Sequence, residues 1–222
     1  MLKGFVFDLD GVITDTAQYH YQAWKACAAR IGITIDPTVN EALKGISRME
    51  SLEVILRHGH RENDFTPAEK EALATEKNNE YVGLLANMTP ADILPGMQAF
   101  LEALKAADYK LALASASKNA PTILARLGLA DYFDAMVDPA TLTHGKPDPE
   151  IFVKGAELVG IKPSEAVGLE DAVAGIQAIN AAGEFSVGIG DPTILHEADL
   201  NFAATSEVSL AAIENAFESK NG

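Results

Sequence analysis

The chain has 222 residues, 48% of them hydrophobic and 22% charged, which is enough apolar side chain for one sizeable core or for a core with a small second domain. Acidic residues outnumber basic ones 32 to 17, and the formal charge of −15 argues against nucleic-acid binding through bulk electrostatics. One cysteine, Cys27, leaves no internal disulfide, and no run approaches the roughly 18 apolar residues of a membrane span; a soluble cytoplasmic protein without a leader is the expectation.

Residues 4–12 read GFVFDLDGV, an apolar run that ends at once in two acids and a glycine. This predicts a buried parallel strand running out into a tight turn. Side chains alternate along a strand, so Asp8 and Asp10 start on one face before Gly11 bends the chain away. Taken alone, the pair also fits turn residues. Residues 16–92 then break into helical segments with no convincing strand. Ser47-Arg48-Met49-Glu50 and Thr66-Pro67-Ala68-Glu69 both have capping-box spacing, and they predict helices reaching about Leu56 and Leu85. A structureless loop of that length is not expected, so 16–92 reads as an inserted all-helical cap domain. The core domain is then 1–15 plus 93–222. From about residue 95, strand-like and helical runs alternate. Strands are expected at 110–115, 135–137, 166–169 and 185–189. Helices are expected at 97–107, 121–127, 149–159 and 172–182, the last three followed by Gly128, Gly160 and Gly183, with a closing helix at 209–217. The alternation predicts an α/β fold, a Rossmann-like doubly wound parallel sheet.

In such sheets chemistry gathers beyond the carboxyl ends of the strands. Four of those ends carry polar groups here: Asp8 and Asp10; Ser115 to Asn119; Lys146 between turn-formers in Gly145-Lys146-Pro147-Asp148-Pro149; and Glu170 with Asp171. The set suits phosphoryl transfer. Asp8 can attack phosphorus and carry it as an aspartyl-phosphate. A hard divalent cation, Mg²⁺, would offset the repulsion between carboxylate and phosphate, held by Asp8, the backbone carbonyl of Asp10 and Asp171, with Glu170 a direct or outer partner. Ser115 and Lys146 could bind the phosphoryl oxygens, and Asp10 could pass a proton to or from the substrate oxygen. Each residue also has a plain reading. Ser115 and Asn119 fit helix caps, Lys146 an exposed turn, and Glu170 and Asp171 first-turn acids favoured by a helix dipole.

The motifs FDLDGV, LALASASKN, GKPDPEIF and VGLEDAVAGI resemble the four signature motifs of the haloacid dehalogenase superfamily of phosphotransferases, and the resemblance spans essentially the whole chain, helical cap included. Within that superfamily, residues 10–16, His20, Trp24, the segment Leu43-Lys44-Gly45-Ile46-Ser47-Arg48 and Ser115-Ala116-Ser117-Lys118-Asn119 resemble the β-phosphoglucomutase branch. That branch implies interconversion of β-D-glucose 1-phosphate and glucose 6-phosphate through a bisphosphate, by a monomer acting on a small sugar phosphate. It implies substrate contacts from Leu43 to Arg48, Ser51 and Ser115 to Asn119. Lys44 and Arg48 would grip the phosphate that is not transferred, joined by Ser117, Lys118 and Asn119. Thr16 and His20, one helical turn apart, could meet Asp10 when the cap closes; His20 fits a packed histidine equally well. Trp24 either lines the sugar site or packs the cap, and Lys77 either reaches the sugar or belongs to a polar helix face. Ala172 departs from a small hydroxyl residue common in relatives. A sugar-phosphate phosphatase would use the same Asp8 chemistry. A phospho-accepting signalling module also places acids at strand ends but needs no inserted cap.

Overall fold

The computed structural model describes residues 1–43 and 46–221. The chain divides into two compact units, Met1–Asp15 with Thr89–Gly222, and Thr16–Met88.

The first unit is an α/β fold. Its strands are β1 (Gly4–Phe7), β2 (Lys110–Leu113), β3 (Ala135–Met136), β4 (Ala166–Glu170), β5 (Phe185–Ile189) and β6 (Leu200–Phe202). They pair in the order β3-β2-β1-β4-β5-β6, and every pairing is parallel. β1 lies centrally and β4 beside it, in register from Gly4 opposite Ala166 to Phe7 opposite Leu169. A strand with neighbours on both sides and helices on both faces has no solvent side, which is why β1 reads as an unbroken apolar run. On one face Phe5 and Phe7 meet Phe100, Tyr109 and Phe133 edge-on or tilted. On the other, Val6 and Ala112 join Ile151, Phe152, Ile176 and Ile179 in a closed cluster.

The second unit holds α1 (Ala17–Arg30), α2 (Pro37–Glu41), α3 (Arg48–His58) and α4 (Pro67–Leu85). Both expected capping boxes form: Ser47 and Glu50 open α3, and Thr66 and Glu69 open α4. Trp24, Cys27, Ile33, Leu43, Leu52, Ile55 and Ala74 close a separate core inside these helices. The α/β unit continues with α5 (Met97–Ala106), α6 (Ala120–Leu127), α7 (Glu150–Leu158), α8 (Val173–Ala182) and α9 (Leu210–Asn221). No described helix is long and apolar enough to cross a membrane.

Three differences from the sequence expectations have physical causes. Residues 89–92, expected with the helical insert, belong to the α/β unit, where the Thr14 hydroxyl donates to the Asp92 carbonyl at 2.7 Å and the Leu94 N–H to the Ile13 carbonyl at 2.9 Å. β6 was not anticipated; it is a half-buried three-residue edge strand, too short to display an alternation. Glu170 ends β4 and α8 begins only at Val173, so Glu170 and Asp171 are not first-turn acids.

Candidate active site

Asp8 follows β1 directly, with its N–H still bonded to the Leu169 carbonyl at 3.0 Å. Ladder pairing on β1 thereby fixes the backbone that carries its carboxylate. Glu170 stands at the end of the neighbouring strand, so the two acids project from adjacent strand ends. The Lys146 ammonium lies between them, 2.6 Å from Asp8 Oδ1 and 2.7 Å from Glu170 Oε2, over the Phe152 ring at 5.0 Å. Lys146 is therefore no exposed turn lysine. Burial by itself would lower its pKa, but the charges of Asp8 and Glu170 outweigh that and hold it above the usual lysine range.

Ligand-type oxygens of Asp8, Glu170 and Asp171 lie within 4.8 Å of one another. Burial, and then the charge of Asp8, pushes the carboxyls of Glu170 and Asp171 above their ordinary values. One lysine does not neutralise three crowded acids, and a divalent cation fits the excess charge. Two glycines make the crowding sterically possible. A Cβ on Gly11, whose φ is +75°, would stand 2.0 Å from Asp171 Oδ2, and a Cβ on Gly175 would stand 2.0 Å from the Glu170 carboxyl carbon. The Ala172 N–H donates to Glu170 Oε1 at 3.2 Å, so the residue that lacks the hydroxyl still contributes its backbone. Asp10 bridges to Thr14 through the backbone, and its side chain is not among the clustered carboxylates.

Ser115 follows β2 and is buried. Its Oγ accepts from the Ser117 N–H at 3.1 Å, and Ser117 Oγ accepts from the Asn119 N–H at 3.2 Å, folding the segment into the N-terminus of α6. Asn119 occupies the N-cap position without a side-chain cap bond, so capping does not account for its side chain. Ala116 and Lys118 are exposed and Ser117 half-buried.

The remaining expected residues lie in the helical unit. His20 Nδ1 is 2.8 Å from the Lys77 ammonium, and the His20 ring stacks on Tyr81 with centroids 4.0 Å apart. Lys77 also faces the rings of Trp24 at 4.7 Å and Tyr81 at 4.9 Å. It is only 3% exposed, so the polar-face reading is ruled out. Burial first, then Lys77 and Arg48, lower the His20 pKa to about 3; burial, then Arg48, brings Lys77 to about 7. With the imidazole neutral, its Nδ1 accepts a hydrogen bond from the Lys77 amino group. Trp24 packs in the core beneath, and Leu43, expected at the substrate, has its side chain in that same core because it is the apolar end of its segment. Arg48 opens α3 and donates to Asn78 Oδ1 at 2.8 Å. Ser51 is buried on α3, Ser47 and Ile46 are exposed, and the Thr16 carbonyl accepts from the His20 N–H at 3.0 Å. Lys44 and Gly45 lie outside the described residues. The part taken by Tyr81 escaped the sequence reading, since an aromatic on a helix gives no spacing signal of its own.

The family description haloacid dehalogenase-like hydrolase matches residues 2–183, well over half of the chain. The chain belongs to this family. It is 48% identical over 217 residues to β-phosphoglucomutase of Bacillus subtilis, covering 98% of this chain and 96% of that protein. The crystal structure of β-phosphoglucomutase from Clostridium difficile superposes with a TM-score of 0.93 at 46% identity, covering 100% of this chain and 99% of the other. Fructose-1-phosphate phosphatase YqaB of Escherichia coli is more distant, 32% identical over 84% of this chain and 95% of its own length.

Proposed function

We propose that the protein interconverts β-D-glucose 1-phosphate and glucose 6-phosphate through a bisphosphorylated sugar, with Asp8 as the residue that takes and returns the phosphoryl group. The observation that carries this reading is the extent of the likeness: the β-phosphoglucomutases of two bacteria match nearly from end to end, helical insert included, and not only at the strand-end motifs shared with phosphatases.

In this reading the Asp8 carboxylate attacks phosphorus, the bond from phosphorus to the sugar oxygen breaks, and Asp10 returns a proton to that oxygen. Lys146 bonds Asp8 and Glu170, which keeps its ammonium beside the carboxylate where charge accumulates on the transferring oxygens. Ser115 binds the oxygens of the transferring phosphate, and the side chains of Ser117, Lys118 and Asn119, at the N-terminus of α6, hold the phosphate that is not transferred. Asp8, Glu170, Asp171 and the Asp10 carbonyl would hold Mg²⁺, which supplies positive charge against the repulsion between carboxylate and phosphate dianion. Arg48, with Lys44, is assigned to the second phosphate, and Lys77 with His20 to the sugar. The single cysteine, which leaves no internal disulfide, fits a cytoplasmic enzyme.

A phosphorus NMR time course with β-glucose 1-phosphate, Mg²⁺ and a trace of bisphosphate tests the reading. Glucose 6-phosphate should appear without matching free phosphate, and Asp8→Asn should form no phosphoenzyme. Steady release of inorganic phosphate without isomerisation would overturn the mutase assignment in favour of a phosphatase.

A further inference from the structure

We propose that Glu150 is a positioning residue for phosphoryl transfer, holding the backbone of the segment that carries Lys146. The inference rests on the role given to Lys146 above.

Lys146 sits on no helix or strand, yet its ammonium must stay within hydrogen-bond reach of Asp8 and Glu170 at once. Something must fix its loop, and the first turn of α7 does so. Glu150 Oε2 accepts from two consecutive backbone amides, Thr143 N–H and His144 N–H, each at 2.8 Å. Its other oxygen, Oε1, accepts from Lys154 at 2.6 Å, and the same ammonium donates to the Thr141 carbonyl at 2.8 Å. Asp148 Oδ1 in turn accepts from the Glu150 N–H at 3.0 Å, and the Asp148 N–H bonds the Gly145 carbonyl at 3.0 Å. Lys146 is thus enclosed between two anchored points, 143–144 before it and 148–150 after it.

His144, Asp148 and Glu150 also bring ligand-type atoms together. Both Glu150 oxygens are engaged by N–H groups and an ammonium, so this cluster is a hydrogen-bonded clip and not a cation site. These bonds, with the Lys154 ammonium foremost, hold the Glu150 carboxyl near pKa 2, charged at any working pH. Two residues further along α7, the Phe152 ring lies under the Lys146 ammonium at 5.0 Å. One helix end therefore fixes both the backbone and the charged tip of the lysine.

Steady-state kinetics of Glu150→Met, Glu150→Gln, Lys146→Met and the double variant Lys146→Met/Glu150→Met, with a melting curve for each, test the proposal. Methionine keeps length and helix propensity but accepts no hydrogen bond from the amides; glutamine keeps a carbonyl oxygen for them. Glu150→Met should lower kcat about 10- to 100-fold, as losses of supporting hydrogen bonds do, with KM changed less than about threefold. Glu150→Gln should recover kcat to within about threefold of the parent. On the Lys146→Met background, Glu150→Met should add no further loss, because the residue it acts through is gone. A parental kcat for Glu150→Met overturns the proposal. So does a glutamine variant as slow as the methionine one, or a double variant that loses both factors in full. If Lys146→Met itself turns over at the parental rate, the role of Lys146 fails, an outcome distinct from an inactive Lys146→Met beside a fully active Glu150→Met.

Discussion

Gly11 illustrates how little room the acidic cluster leaves. Its φ of +75° is one that side chains rarely adopt, and a methyl there would overlap the Asp171 carboxylate. Gly11→Ala should therefore displace Asp171 and weaken the proposed magnesium activation by about 10- to 100-fold, read as a rise in the Mg²⁺ concentration for half-maximal rate. Lys77 gives a pH prediction with a definite sign. Its pKa falls from the ordinary 10.5 to about 7 on folding, so between those values the unfolded chain holds one more proton. Stability conferred at high pH is lost as pH drops through about 7, and stability should climb with pH across that window. Lys77→Met should flatten the climb, measured as urea midpoints from about pH 7 to about pH 10. At this scale the acids were legible because a strand end puts them in a fixed place. The Lys77–His20 pair was not, since its partners are 57 residues apart and only the packing of α4 on α1 joins them.

Among the elements, α3 shows what makes the helical unit cohere. The Ser47–Glu50 box settles where it starts, and its buried face of Ser51, Leu52, Ile55 and Leu56 settles what it packs on. Leu52 is fully buried, and Leu52→Ala should cost about 2–5 kcal/mol, read from denaturant unfolding. Because the Thr16–Met88 unit closes its own core, hydrogen exchange should accelerate in α1, α3 and α4 while β1 and β4 remain protected. Helix starts were legible wherever a cap residue and an acid three places on agreed, as at Ser47 and Thr66. The edge strand β6 was hard to read for the opposite reason. Three residues paired along one side, with Val187 to Ile189 of β5, carry no periodic signal.

The whole molecule carries a formal charge of −15, and its proposed substrate is itself an anion. The long-range field opposes encounter, so kcat/KM for the sugar phosphate should rise as ionic strength goes from about 10 mM to about 150 mM, where the screening length shortens to about 8 Å. A fall over that range would mean that local cations dominate the approach. At this scale the parallel sheet was legible from alternation, whereas the strand order was not, because it depends on which strands pair and no local pattern records that. One small feature of the α/β unit reaches furthest. Thr14 bridges to Ile93 in antiparallel fashion, and its hydroxyl also bonds the Asp92 carbonyl, so the chain leaves this unit and rejoins it at neighbouring points. To the sheet, everything from Thr16 to Met88 counts as the tip of a hairpin whose stem is already tied. Excising that tip and bridging Asp15 to Thr89 with a short glycine linker should leave a folded remnant that still presents Asp8, Lys146, Glu170 and Asp171, a miniature on which phosphorylation of the aspartate by a small donor such as acetyl phosphate can be followed without the rest of the protein.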